Sequence, residues 1–397
     1  MQKYKIQLTK FSFLQWFFWS SWATYGAYIV YYLSDMGYSN IEIGTVISVR
    51  TLLGLLGEPI LGYICDAYNT NKKIFILGLI AIAVVILPFP YYNWWLILIA
   101  TGIVGFFWAP QQSILDSWIL KSSEKLSSNY GFMRAWGSIG FATMVVIFGK
   151  ALDIFGWSIL FISYSIILII ASIIAFNISD APHIGRKEKA NPNVDDEKQT
   201  NTKNPLILFK NLEYTVILIS AVLVFIPNNI IFIYLPNFIK GVGGTTTLLG
   251  VVLFINAVSE APIFFGGKKM LLRFKPLPLL LLSTIFYLIR VVIVYEAVSQ
   301  INFLIFASLQ SVSFGILLIT SRFHINMTAP ESLKTTAQSI FTMSIFGVGG
   351  IIASMFGGLI MDYYGMETLY RISIILSVIG ILLMFLLTVY RKIKIEE

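Results

Sequence analysis

The chain has 397 residues, of which 57% are hydrophobic and only 12% charged, and its mean hydropathy is +0.79. Soluble domains carry about 25% charged residues, so this composition excludes a water-soluble enzyme or binding module and points to a protein solvated by lipid. The net charge is +8, from 28 Lys and Arg against 20 Asp and Glu.

A helix needs roughly 20 apolar residues to cross a hydrocarbon core of about 30 Å. Twelve such runs follow one another, over residues 8–33, 41–64, 74–91, 94–120, 130–151, 157–178, 213–235, 246–267, 276–295, 301–327, 336–361 and 368–390. The first run is too long for a secretory leader and lacks a small-residue cleavage site, so it is expected to stay as helix 1. Only the connection after helix 6 is long. It holds the polar tracts Gly185-Arg186-Lys187-Glu188-Lys189 and Asn193-Val194-Asp195-Asp196-Glu197-Lys198, mixed charge without an apolar anchor, which reads as a solvated tether. The expected fold is therefore an all-α membrane protein of twelve transmembrane helices in two pseudo-symmetric six-helix halves, residues 1–179 and 213–397, joined by a cytoplasmic linker over 180–212.

Internal repetition supports two equivalent halves. Gly57-Glu58-Pro59-Ile60 is answered by Glu260-Ala261-Pro262-Ile263, and Gly149-x3-Asp153-x2-Gly156 by Gly358-x3-Asp362-x2-Gly365. Duplicated halves in a polytopic chain mark secondary transporters, which bind substrate near the bilayer midplane and expose it alternately to the two sides. All but seven of the 28 Lys and Arg fall on one side if both termini are cytoplasmic; the exceptions are Arg50, Arg134, Lys150, Lys240, Arg290, Arg322 and Arg371. That asymmetry follows the positive-inside rule and accounts for the +8 without a nucleic-acid partner. Cys65 is the only cysteine, and His183 and His324 are the only histidines. No zinc signature, phosphate-binding glycine loop or Ser/His/Asp set appears, so neither a metal, a cofactor nor an enzymatic activity is expected.

Charges inside a membrane cost roughly 2.5–3.5 kcal/mol each on insertion scales and are functional suspects by default. They are Arg50 and Glu58 on helix 2, Asp116 on helix 4, Arg134 on helix 5, Glu260 on helix 8, Arg290 on helix 9, and Arg322 and His324 on helix 10. Asp116 lies about one turn before helix 4 ends and Arg134 about one turn after helix 5 begins, so antiparallel packing brings them to one depth. On helix 1, Trp22, Tyr25 and Tyr28 recur at a spacing of three, which places their rings on one stripe suited to a cyclic solute. Gln112 and Asn228, each following a proline, add neutral hydrogen-bonding groups.

The segment Gly62-Tyr63-Ile64-Cys65-Asp66-Ala67-Tyr68-Asn69-Thr70-Asn71-Lys72-Lys73 resembles the cytoplasmic Gly-x3-Asp-(Arg/Lys)-x-Gly-(Arg/Lys)-(Arg/Lys) motif of the major facilitator superfamily, with Ala67 and Asn69 departing from the pattern. The resemblance implies a cytoplasmic gate built from Gly62, Asp66, Lys72 and Lys73. Asp116 followed by Arg134-Ala135-Trp136-Gly137-Ser138-Ile139-Gly140-Phe141 is similar to the lactose-permease-like group of proton-coupled oligosaccharide, nucleoside and phenylpropionate permeases. It implies that Asp116 and Arg134 hold the solute and that Phe141 stacks on its ring, in a place where the permease has Trp. By the same resemblance Glu260, Arg290, Arg322 and His324, with Glu58, are the proton-coupling candidates, although helix 10 lacks the interior carboxylate of the permease. The expected function is a monomeric, proton-coupled symporter of a saccharide or nucleoside in the cell membrane, partnered by its small-molecule substrate, H+ and lipid. A proton-driven efflux antiporter is the alternative, a non-transporting receptor is a more distant one, and Na+ coupling is open.

Overall fold

The computed structural model describes residues 2–181 and 205–396. The two polar tracts of the expected linker lie outside the described residues. In chain order the helices are α1 (Gln2–Tyr25), α2 (Ile29–Asp35), α3 (Asn40–Ala67), α4 (Lys72–Ile86), α5 (Trp94–Ser122), α6 (Glu124–Ser128), α7 (Tyr130–Phe155), α8 (Ser158–Phe176), α9 (Leu212–Gly241), α10 (Thr246–Ser259), α11 (Ala261–Arg273), α12 (Pro276–Tyr295), α13 (Gln300–Ser308), α14 (Ile316–Thr328), α15 (Lys334–Thr342) and α16 (Gly349–Glu396). No strand occurs among the described residues.

Nine helical runs among the described residues are long and apolar enough to span a membrane. The last, Lys334–Ile393, breaks at Gly365, whose φ of 79° and ψ of 170° suit only glycine, so it holds two crossings. The α1–α2 pair and the 15-residue α4 supply the remaining crossings of a twelve-helix protein. Helix starts are set by local chemistry: the Asn93 side chain accepts the Leu96 N–H at 3.0 Å to open α5, and Asn211 accepts from Glu213 and Tyr214 to open α9.

Helices 1 and 8 are interrupted. Helix 1 stops at Tyr25 and resumes at Ile29, and Gly26 lies so close under the Trp22 indole that a Cβ there would collide with it. Helix 8 divides at Glu260, because Pro262 brings no N–H and its ring clashes with the preceding turn. Pro59, its counterpart in the repeat, stays inside an unbroken α3.

Chain contacts group into two units. Unit 1 takes Met1–Tyr38, Thr45–Asn191 and Thr245–Phe254, and unit 2 takes Ser39–Gly44, Pro192–Gly244 and Ile255–Glu397. In unit 1, α1 packs on α7 and α8, and α4 on α5 and α8. In unit 2, α9 and α12 pack on α16, with Tyr214, Phe225, Tyr287, Leu317 and Phe341 in the core. Outward-facing side chains such as Ile80, Val84, Ile147, Phe265 and Leu386 are exposed and apolar, as a lipid-facing surface requires.

Each unit contains the same joint, and the repeated motif builds it. In unit 1 the Tyr28 hydroxyl donates to the Val145 carbonyl, and a Cβ on either Gly149 or Gly250 would collide with that hydroxyl. Asp153 then accepts the N–H groups of Thr246 and Thr247, both at 3.1 Å, and both threonine hydroxyls. In unit 2 the Tyr234 hydroxyl donates to the Ser354 carbonyl at 2.7 Å, between Gly44 and Gly358. Asp362 accepts the Asn40 N–H at 3.3 Å, the Asn40 side-chain amide at 2.7 Å and the Ile41 N–H at 2.8 Å. The closing glycines Gly156 and Gly365 both take positive φ, 69° and 79°. A carboxylate at a helix start satisfies orphan N–H donors and meets the positive end of the helix dipole.

Candidate functional site

In unit 1, α5 and α7 bring Asp116 and Arg134 together, as their positions near facing helix ends imply. No ion pair joins them among the described residues. Tyr130, at the start of α7, instead has its hydroxyl within hydrogen-bonding reach of both. Asp116 also receives the Gln15 side-chain amide at 3.4 Å and neighbours Gln112. The Arg134 guanidinium lies 4.5 Å from the Trp19 ring centroid, a cation–π contact that holds it flat against the indole. A Cβ on Gly137 would strike the same indole, so this glycine admits Trp19 beside α7. Gln112, Asp116, Arg134, Phe141 and Trp19 are all part-exposed. A carboxylate, a phenol, a guanidinium and an indole face thus gather in one place.

Trp22 and Tyr25 remain neighbours on α1, 6.4 Å apart, and the helix breaks between them and Tyr28. Trp22 stacks on Trp108 at 4.7 Å and is part-exposed, whereas Tyr25 stacks on Tyr164 at 4.8 Å and is fully buried. Tyr28 is fully buried and engaged with Val145. Tyr25 and Tyr28 therefore belong to the interior of unit 1. Gln15, Trp19 and Tyr130 also take part in the Asp116 centre.

Unit 2 holds a second polar centre. Arg290 is 1% exposed, donates from Nη1 to the Asn228 side-chain oxygen at 3.1 Å and to the Ser313 hydroxyl at 3.0 Å, and from Nε to the Phe306 carbonyl at 3.1 Å. Its guanidinium lies 4.1 Å from the Phe306 ring centroid and 5.7 Å from that of Phe232. Asn228, expected to meet substrate, is here a buried partner of Arg290. Glu260, at the break between α10 and α11, accepts the Gln310 side-chain amide at 2.9 Å and lies within electrostatic reach of Arg290. Gln310 leads into a wide π-helical turn, Ser311–Gly315, that also supplies Ser313. Such turns insert a residue into a helix and are frequent at functional sites.

The other expected coupling residues lie elsewhere. His324 does not join the Glu260–Arg290 centre; its Nε2 is 2.9 Å from the carboxylate of Glu213, which Arg391 also pairs. Glu213 is 5% exposed, and this cluster ties the start of α9 to the ends of α14 and α16. Arg322, on the opposite side of α14 from His324, is exposed, and so is Glu58.

At the turn after α3, Asp66 pairs with Lys121 of α5 at 3.3 Å, with both side chains substantially exposed. The Lys72 N–H donates to Asp180 at 3.1 Å, its Nζ to the Phe176 carbonyl at 2.6 Å, while the Lys73 side chain is exposed. Gly62 has open space around it. Asn69 adopts φ 49°, the left-handed conformation that explains why asparagine stands where the motif has glycine.

A family model described as "MFS_1 like family" matches residues 8–372. The chain belongs to this family. As a member of the MFS_1 like family it is a major facilitator transporter and not an enzyme. The maltose permease of Geobacillus stearothermophilus is 23% identical over 373 residues, which cover 93% of this chain and 91% of the permease. A putative nucleoside transporter of Escherichia coli K12, YegT, is 21% identical over 384 residues, 90% and 84% of the two chains. The crystal structure of the nucleoside transporter NupG matches with a TM-score of 0.78 at 17% identity, covering 97% of this chain and 98% of that one. This likeness shows the twelve-helix major facilitator fold.

Proposed function

We propose that this transporter carries a saccharide or nucleoside by alternating access, in symport with protons. One observation carries the solute class: the part-exposed gathering of Asp116, Tyr130, Arg134 and Trp19 in unit 1. A carboxylate and a guanidinium offer charged partners to vicinal hydroxyls, and an indole face suits the apolar side of a sugar or a base. The similarity to a maltose permease and to nucleoside transporters supports the same class. Gln112 and Phe141 complete the substrate contacts in this reading.

Proton coupling rests on Glu260. It is a carboxylate within a membrane-spanning run, placed at a helix break, with a neutral amide for its partner and the Arg290 guanidinium held beside it by Asn228 and Ser313. Loading a proton neutralises Glu260, and a movement of α11 toward Arg290 releases it. The two aspartate joints supply the opposing latches: releasing Thr246–Thr247 from Asp153 and Asn40–Ile41 from Asp362 lets α10 and α3 move. The protein resides in the cell membrane with both termini cytoplasmic, as the lysine and arginine distribution supports.

The test is counterflow in proteoliposomes with radiolabelled maltose, sucrose, adenosine and uridine, comparing wild type with Asp116→Asn. Exchange of a saccharide or nucleoside that Asp116→Asn reduces at least tenfold is the expected result. Exchange of neither class, or exchange indifferent to Asp116→Asn, contradicts it.

A further inference from the structure

Arg50 enters the interior of unit 1 from α3, and among the described residues no acidic side chain pairs with it. Its depth is fixed by close helix crossing, since a Cβ on Gly105 of α5 would collide with the Arg50 carbonyl. The guanidinium lies 5.1 Å from the Trp22 ring centroid, at the end of a stack that continues through Trp108 at 4.7 Å to Phe18 at 4.5 Å. Beside this stack Tyr25 and Tyr164 lie face to face, 4.8 Å apart and 10° from parallel, with Trp22 6.4 Å from Tyr25 and Trp108 6.5 Å from Tyr164. The cation therefore rests on Trp22, with Tyr25 and Tyr164 within its electrostatic reach.

Three donors in this box lack an acceptor. They are Arg50 Nη1 and the hydroxyls of Tyr25 and Tyr164, two residues that are both 0% exposed. Both hydroxyls lie within electrostatic reach of the guanidinium. Buried charges in proteins are paired, and buried donors are hydrogen-bonded. A cation with two phenol hydroxyls and no carboxylate has the donor set for an anion, and it offers nothing that would hold a metal ion.

We propose that Arg50, Tyr25 and Tyr164 form an anion site within unit 1, taking a small monovalent anion such as chloride or the carboxylate of an acidic sugar. The guanidinium supplies charge and one N–H, the phenols supply two O–H donors, and the aromatic stack keeps the guanidinium in place and water out. The site does not depend on the saccharide or nucleoside reading, because binding and transport are measured separately.

The test is thermal unfolding of the purified full chain at constant ionic strength. The bulky organic anion MES is replaced stepwise by chloride or by glucuronate, with glucose as the uncharged control. A saturable rise of about 2–4 °C in the midpoint with chloride supports a free-anion site. The same rise with glucuronate, but with neither chloride nor glucose, supports recognition of an acidic solute. In both cases Arg50→Gln abolishes the rise, and the double variant Tyr25→Phe/Tyr164→Phe, which keeps the cation and the rings, raises the half-saturating concentration at least tenfold. No anion-dependent rise in wild type, or an unchanged rise in the double variant, overturns the proposal, and the double variant decides alone if Arg50→Gln does not fold.

Discussion

Asp153→Ala removes four hydrogen bonds from the start of α10: two N–H groups at 3.1 Å and two threonine hydroxyls. Loss of a good N-terminal cap costs about 0.5–2 kcal/mol, and a negative charge at a helix start adds about 0.3–1 kcal/mol. Asp153 is exposed, so water takes over part of this role and the net cost is about 1–2 kcal/mol, a factor of about 5–30 in the opening equilibrium. Hydrogen–deuterium exchange in nanodiscs reads it directly. The Thr246 and Thr247 amides are expected to exchange about 5–30 times faster in Asp153→Ala, and the Asn40 and Ile41 amides correspondingly faster in Asp362→Ala, while the core of α9 keeps its protection. Unchanged exchange in both variants would refute the assignment of these aspartates as latches.

Tyr130→Phe removes the hydroxyl that reaches both Asp116 and Arg134, and hydrogen bonds to charged groups are worth about 1.5–3 kcal/mol; substrate affinity measured by tryptophan fluorescence is expected to fall about 10- to 100-fold, and an unchanged affinity contradicts the role given to this centre. Arg290→Ala leaves Asn228 and Ser313 without their buried partner, and a loss of about 2–4 kcal/mol of stability is expected in denaturant unfolding. Gly250→Val brings a branched side chain against the Tyr28 hydroxyl and the Val145 carbonyl, and an overpacking cost of about 1–3 kcal/mol should lower the thermal midpoint. Asn69→Ala at φ 49° should cost about 1 kcal/mol and Asn69→Gly should be close to neutral, compared by the same melts.

The hydrophobic runs made the twelve-helix architecture legible, because lipid leaves a chain few other ways to satisfy its backbone. The Gly-x3-Asp-x2-Gly repeat was visible too, but its role was not. The partners of Asp153 and Asp362 stand 93 and 322 residues away, and a one-dimensional pattern does not report such pairings. Asp116 and Arg134 could be placed at one depth from helix ends alone. Tyr130 was missed because a tyrosine at a helix start reads as an interfacial residue, and Glu213 because an acid following Asn211 reads as a first-turn charge. The break after Tyr25 left no signal in an unbroken apolar run. It separates Trp22 and Tyr25 from Tyr28. His324 lies two residues from Arg322, yet helical geometry turns it to the opposite side and toward Glu213.

The central claim is that solute movement and proton movement are coupled through two separate centres. Proteoliposomes loaded with a pH-sensitive dye and challenged with the solute found by counterflow test it most directly. The account predicts solute-dependent acidification of the lumen in wild type, none in Arg134→Ala, and solute exchange without proton movement in Glu260→Gln. Solute uptake without any proton movement in wild type, or full proton coupling retained in Glu260→Gln, would contradict it.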